Sequence, residues 1–352
     1  MKKERFTVYR DTDYMYSSAL SRAKENGIIG KEGLSRLIDS EPMAVLAEYG
    51  YLPSVKEGIS PEERNALLDR TVALRFDEIE ASLPKFDGET HSAVTPLRYP
   101  YDCNNIKAAL KCSIVGADPR DMFFEVGTLT SAVAAALVSG DVKEDEIKPN
   151  RQSRALGLPE NMAAAAKKAR ESYAESKNPR IIDLLLDRAC YADMLQAAEA
   201  MGIPFLTEYV KLKIDSTNLL TVLRLYRMYG SQTPAADELL GNALLEGGKL
   251  ELSPVCGDRE ALFELLRRDP RFEKIAAPLE ATESLSDVER LIDNVVSEFI
   301  ASAKKVAFGA EVSLGYLLGL ELSVKNVRIV MAGREAGLDG TLIRERMREN
   351  YV

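Results

Sequence analysis

Three stretches of this chain repeat one another, and the repeat constrains the fold more than any single motif. Asp102-Cys-Asn-Asn105-Ile-Lys-Ala-Ala-Leu110 aligns with Asp215-Ser-Thr-Asn218-Leu-Leu-Thr-Val-Leu223. Both align with Ser323-Val-Lys-Asn326-Val-Arg-Ile-Val-Met331. Each asparagine is followed by an apolar residue and, five positions on, by Leu or Met. A second landmark lies upstream: Leu67-Leu68-Asp69-Arg70, then Leu185-Leu186-Asp187-Arg188, then Leu291-Ile292-Asp293-Asn294. The gap from Asp to Asn is nearly constant, from Asp69 to Asn105, from Asp187 to Asn218 and from Asp293 to Asn326. The asparagines themselves are almost evenly spaced along the chain. A weaker landmark, Gly127-Thr-Leu, resembles Gly248-Lys-Leu and Gly33-Leu-Ser. A unit of roughly 110 residues is too long for a solenoid repeat and has the size of a domain. The expectation is three homologous units, residues 1–117, 118–230 and 231–352, in pseudo-threefold arrangement.

Each unit reads as helical. Proline and capping residues punctuate the chain where helices begin: Pro61 opens a segment to Leu83, and further segments run from Pro159 to Ser176, Pro179 to Met201 and Pro204 to Tyr229. Tyr14 to Gly27 reads as a helix, Lys31 to Tyr49 as two short helices broken near Pro42, and Tyr99 to Cys112 as another. Thr128 to Val138 is a short Ala-rich helix, followed by a polar linker from Gly140 to Gly157. Thr233-Pro234 opens a helix that Gly247-Gly248 ends, and Arg259 to Arg268 is a short helix stopped by Pro270. Ser286-Asp-Val-Glu289 has capping-box spacing. Behind it, Val288, Leu291, Ile292, Val295, Val296, Phe299 and Ile300 recur at spacings of three and four. From Phe308 to Leu320 the pattern is apolar on nearly every face, which predicts a helix in the middle of a core. Runs that alternate apolar and polar residues are few, and no Asn-Gly or Asp-Gly joins two of them as a hairpin, so the fold class is all-α.

Composition narrows the function. The 352 residues carry a net charge of −9, which disfavours nucleic acid as the main partner. The first residues have two lysines with no apolar run behind them, and no stretch reaches the ~18 apolar residues a membrane span needs. Cys103, Cys112, Cys190 and Cys256 contain no C-x-x-C pair and read as buried small hydrophobes in a reducing compartment.

The search for chemistry is mostly negative. No G-x-x-x-x-G-K-[ST], G-x-G-x-x-G or G-x-S-x-G occurs. The one histidine, His91, sits in a polar loop and reads as a surface or capping residue rather than a base. Gly315-Tyr-Leu-Leu-Gly319 has the spacing of close-packing membrane helices, but Glu311 and Glu321 flank it, so close packing inside a soluble bundle is the reading. The repeated asparagines, 105, 218 and 326, read as structural: an Asn inside a packed helix bonds a backbone group or a neighbouring helix. No catalytic residue, cofactor, metal or small-molecule substrate is expected.

The ordered set of landmarks carries a resemblance. Tyr99-Pro-Tyr-Asp102-Cys-Asn-Asn105-Ile-Lys-Ala-Ala-Leu110-Lys, Tyr316, the stretch from Glu321 to Arg328, and the close at Ile343-Arg-Glu-Arg-Met-Arg-Glu-Asn-Tyr-Val resemble the C-subunit family of the V-type (A-type) ATPase/ATP synthase. The eukaryotic counterpart is the d subunit of the vacuolar ATPase. Ser323 departs from the pattern, since that family's third repeat has an acidic residue there, and the polar 140–157 segment is a second departure. The resemblance implies three helical bundles forming a funnel around a central cavity. It implies a non-catalytic central-stalk protein, one copy in a hetero-oligomeric complex, on the cytoplasmic face of the membrane. Its partners would be the central-shaft subunits and the membrane proteolipid ring. Arg344, Arg346 and Arg348 are candidate partner-facing residues, against the plainer reading of a solvated helix end favoured by the helix dipole. Two rival classes are a helical adaptor for soluble partners and an enzyme with an unrecognised site.

Overall fold

A computed structural model describes residues 9–52, 59–86, 91–119, 122–129, 159–229, 243–255 and 257–352. Cys256, the 140–157 segment, the Thr233-Pro234 cap and all but the first two residues of the 128–138 helix lie outside these. Among the described residues the protein is helices and turns, with no strand. The helices are α1 (Met15–Lys24), α2 (Lys31–Asp39), α3 (Pro42–Glu48), α4 (Pro61–Ser82) and α5 (Thr95–Val115). They continue with α6 (Glu160–Ser176), α7 (Arg180–Met201), α8 (Pro204–Tyr229), α9 (Arg259–Arg268) and α10 (Glu273–Ala281). The last are α11 (Leu285–Ala301), α12 (Ala310–Glu335) and α13 (Gly340–Arg346).

Local sequence explains most boundaries. Ser60 caps α4 by accepting the Glu63 N–H at 3.1 Å, and Pro61 takes the first turn, where its missing N–H costs nothing. Two boundaries differ from the sequence expectation, at α5 and α11, and α10 is a helix the sequence reading did not include. Helix α5 starts at Thr95 and runs through Pro100. Thr95, Pro96, Leu97, Arg98 and Tyr99 are all buried, and that burial outweighs the one backbone bond Pro100 cannot make. Helix α10 forms despite Pro278, with Ala276 and Leu279 buried beneath it. Helix α11 is capped by Ser284, not Ser286: the Ser284 hydroxyl accepts the Asp287 N–H at 3.3 Å, so the helix begins at Leu285.

The three landmarked regions each supply a pair of long helices: α4 with α5, α7 with α8, α11 with α12. The first pair meets through Arg98 on Asp77 and through the rings of Phe76 and Tyr101, and the helices of the other two pack directly on each other. The second helix of each pair packs on the first helix of the next: α5 on α7, α8 on α11, and α12 on α4. The succession therefore returns to its start. Helix α12 is buried at every position from Val312 to Leu320, as its all-round apolar pattern requires. One apolar core runs through all three pairs.

Candidate functional site

The repeated asparagines make the same structure three times. Asn105 lies on α5, Asn218 on α8 and Asn326 on α12, each buried. The Asn105 amide oxygen accepts the Phe124 N–H at 2.8 Å, and its nitrogen donates to the Phe124 carbonyl at 3.1 Å. Asn218 does the same with Leu245, at 2.8 and 2.9 Å. Asn326 does it with Arg348, at 2.8 and 3.0 Å. A primary amide has an acceptor side and a donor side, so it pairs with both backbone groups of one residue as a neighbouring strand would. The clamped residue lies 19, 27 and 22 positions downstream, so each clamp fixes the returning chain against the long helix it has just left.

One helical turn earlier, the acidic residue of the landmark binds the same returning segment. Asp102 accepts the Thr128 and Leu129 N–H groups at 2.6 and 2.9 Å and the Thr128 hydroxyl at 2.7 Å. Asp215 accepts the Lys249 and Leu250 N–H groups, each at 2.9 Å, and pairs with Arg271 at 2.6 Å. Burial pushes the Asp102 carboxyl up to about 6, against the Leu129 and Thr128 donors that favour its ionised form. The weak glycine landmark follows from this approach. A Cβ on Gly127 would lie 2.5 Å from Asp102 Oδ1, and one on Gly248 would lie 2.1 Å from Asp215 Oδ1. Gly33 does not share the role: its neighbours are Ile29 and Tyr49. In the third copy Ser323 replaces the acid and donates to the Ile29 carbonyl at 3.1 Å.

The upstream acidic residues sit where the helix pairs join. Lys107 of α5 pairs with Asp187 of α7 at 2.5 Å, and Arg328 of α12 pairs with Asp69 of α4. Lys107 and Arg328 both stand two residues after their asparagines, a signal present in the sequence that the landmark reading passed over. At the third joint that position is Leu220, and Asp293 instead takes Lys325 at 2.6 Å and Arg348 at 2.9 Å. Burial works against ionisation at Asp293, but Lys325 and Arg348 outweigh it and hold its carboxyl below the usual range. The α8–α11 joint is made by stacked Phe205 and Phe299, 4.9 Å between ring centres, and by the pair of Arg224 with Glu289. Partly exposed pairs contribute about 0–1 kcal/mol each, so apolar packing holds the joints and the pairs set their register.

The three long second helices also converge on one carboxylate, which the sequence did not flag. Tyr101 of α5 donates its hydroxyl to Glu321 of α12. Burial pushes Glu321 up to about 7, against the Tyr101 hydroxyl and the charge of Lys213 on α8. Tyr209 of α8 and Tyr101 are both held well above the usual phenol range, first by burial and then by the charge of Glu321.

The candidate arginines divide. Arg348 is turned inward: its backbone is clamped by Asn326 and its side chain pairs with Asp293. Arg344 pairs with Asp39 at the surface, and Arg346 is exposed. His91 accepts the Phe86 N–H through its own backbone carbonyl, at 2.7 Å, in the loop before α5. Cys103, Cys112 and Cys190 are buried free thiols. Among the described residues no group of three or more His, Cys, Asp and Glu is placed to hold a metal ion. Among them, too, no helix is long and apolar enough to cross a membrane. The polar residues singled out by the repeat tie helices to chain segments and to one another.

Known proteins that match along nearly the whole chain are named as C subunits of a V-type sodium ATPase and of A-type ATP synthases. The chain is 22% identical to the C subunit of the V-type sodium ATPase of Enterococcus hirae over 345 residues, covering 96% of this chain and 99% of that one. It is 25% identical to the C subunit of the A-type ATP synthase of Haloferax volcanii, covering 92% and 94% of the two chains. The corresponding A-type protein of Methanosarcina acetivorans is 24% identical, covering 96% of this chain and 93% of that one. The sequence pattern of the ATP synthase (C/AC39) subunit family matches residues 17–346, so the chain belongs to that family.

Proposed function

We propose that this chain is a non-catalytic adaptor in the central stalk of a rotary ATPase, joining the central-shaft subunits to the membrane proteolipid ring. In that position it couples ATP hydrolysis or synthesis to proton or sodium transport. The observation that carries this reading is the end-to-end match: two relatives named as C subunits are covered over 99% and 94% of their length. The relatives include both a sodium ATPase and ATP synthases, so both ions and both directions lie within the proposal.

The physical argument runs parallel. A part that passes torque needs stiffness and two firm interfaces, and no chemistry of its own. Close-packed helices transmit strain rather than absorb it. Three pairs that pack in succession and return to the first give a body with no free end along which to shear. Each partner contact should bury more than roughly 1,000 Å² to hold without slipping. One copy per complex, on the cytoplasmic face, with neither nucleic acid nor a small-molecule substrate, completes the proposal. Arg346 and Arg344 are the exposed members of the arginine set and the ones proposed to face a partner.

The test is to purify a tagged copy of this chain from its native membranes and identify what accompanies it. Recovery of the catalytic sector, the central shaft and the proteolipid is the expected result. Recovery of soluble proteins alone would overturn the reading in favour of a helical adaptor.

A further inference from the structure

The first and last segments of the sequence meet on α12, and a second repeat explains why. The stretch Lys31-Glu-Gly-Leu34-Ser-Arg-Leu-Ile38, followed by Glu41-Pro42, matches Arg259-Glu-Ala-Leu262-Phe-Glu-Leu-Leu266, followed by Asp269-Pro270. The offset does not change along the match, from Lys31 on Arg259 to Pro42 on Pro270. Both stretches are short helices, α2 and α9, and each is followed by another, α3 and α10. Leu34 and Leu262 are buried alike, as are Ile38 and Leu266.

The two hairpins answer the same position on their long helix. In the second pair that position is Asp215 of α8, which binds Arg271 in the turn between α9 and α10. Phe263 and Leu279 of that hairpin share a cavity wall with Leu223 and Tyr226 of α8. In the third pair the equivalent position is Ser323 of α12. Its hydroxyl donates to Ile29, just before α2, and lies 3.4 Å from the Tyr51 hydroxyl, just after α3. The exchange of acid for serine therefore goes with a change of contact, from an arginine to a backbone carbonyl.

The last residues lie over this junction. The Asn326 clamp on Arg348 leads the chain to Tyr351, whose ring lies on Gly319; a Cβ there would come within 2.4 Å of it. A Cβ on Gly315 would meet Ala303 at 2.4 Å and the Tyr351 hydroxyl at 3.5 Å. The G-x-x-x-G spacing is thus a slot for this ring. The Tyr351 hydroxyl donates to Glu25 at 2.7 Å, and Arg22 of α1 donates to the Ala303 and Val306 carbonyls at 2.9 and 2.8 Å. Val352 abuts Gly30, where a Cβ would lie 3.1 Å from the Val352 oxygen.

We infer that the third helical unit is assembled from both ends of this sequence, with α2–α3 filling the place that α9–α10 fill in the second. Tyr351, seated on Gly315 and Gly319, is the strap that holds it shut. The inference moves residues 30–51 from the first unit to the third, and it stands whether or not the rotary reading holds.

The test is hydrogen exchange on the full chain with Y351A, G319A and the double substitution. Y351A should speed exchange in α1, α2 and α3 by about tenfold or more while leaving α9–α10 unchanged. G319A should do the same, because its Cβ displaces the ring, and the double variant should be no worse than Y351A alone. Y351F keeps the ring in the slot and should stay within about threefold of the parent. Unchanged exchange in α2–α3, additive effects of the two substitutions, or an equal rise in α9–α10 would each overturn the inference.

Discussion

Replacing Asn218 with alanine removes both bonds to Leu245 and strips the N–H and carbonyl of that buried residue of these partners. Losing the bonds and stranding the two groups costs about 2–4 kcal/mol, which a thermal melt reads as a marked drop in midpoint. Asn105 and Asn326 should behave alike. A melt indistinguishable from the parent's would show that the clamp carries no load. Glu321→Gln tests the carboxylate between the long helices. Its folded pKa is raised to about 7, so the proton is held more tightly in the folded state. The stability this gives is fully present below the unfolded value near 4.5 and is lost as pH rises through about 7. Gln keeps an acceptor for Tyr101 and cannot ionise. The variant should therefore match the parent near pH 4 and gain on it steadily to about pH 8, as read by midpoints across that range; a constant difference would refute the burial argument. The sequence displayed the asparagines because three copies share a register. It concealed their backbone partners, which lie far down the chain, and the Tyr101–Glu321 bond, which joins the first unit to the last.

At the scale of elements, the cap of α11 separates pattern from structure. Ser286 has capping-box spacing, yet Ser284 makes the bond. Ser284→Ala should cost about 1 kcal/mol, whereas Ser286→Ala, inside the first turn, should change stability by no more than a few tenths. Equal costs in chemical denaturation would return the cap to Ser286. Helix cores were legible in the sequence because apolar periodicity is a property of many residues at once. Ends were less so, since one hydroxyl two positions away can claim the first turn. Proline ordinarily breaks a helix interior, yet Pro100 and Pro278 both lie inside helices whose burial outweighs one missing bond. The α2–α9 correspondence escaped because its copies lie far apart along the chain and outside the paired long helices.

For the whole molecule, the joints matter more than any single tie. Each passes from the second helix of one pair to the first of the next, and the last returns to α4. The spacing of landmarks predicted three alike units; the cyclic pairing rests on residues such as Lys107 and Arg328 that become informative only once their partners are known. A body of this kind is proposed to act by staying rigid between two moving neighbours. The direct test is ATP-driven ion uptake in native vesicles with and without this chain. The account predicts that removing it abolishes uptake while the catalytic sector still hydrolyses ATP, and that adding the purified chain restores coupling. Uptake that continues undiminished in its absence would contradict the account.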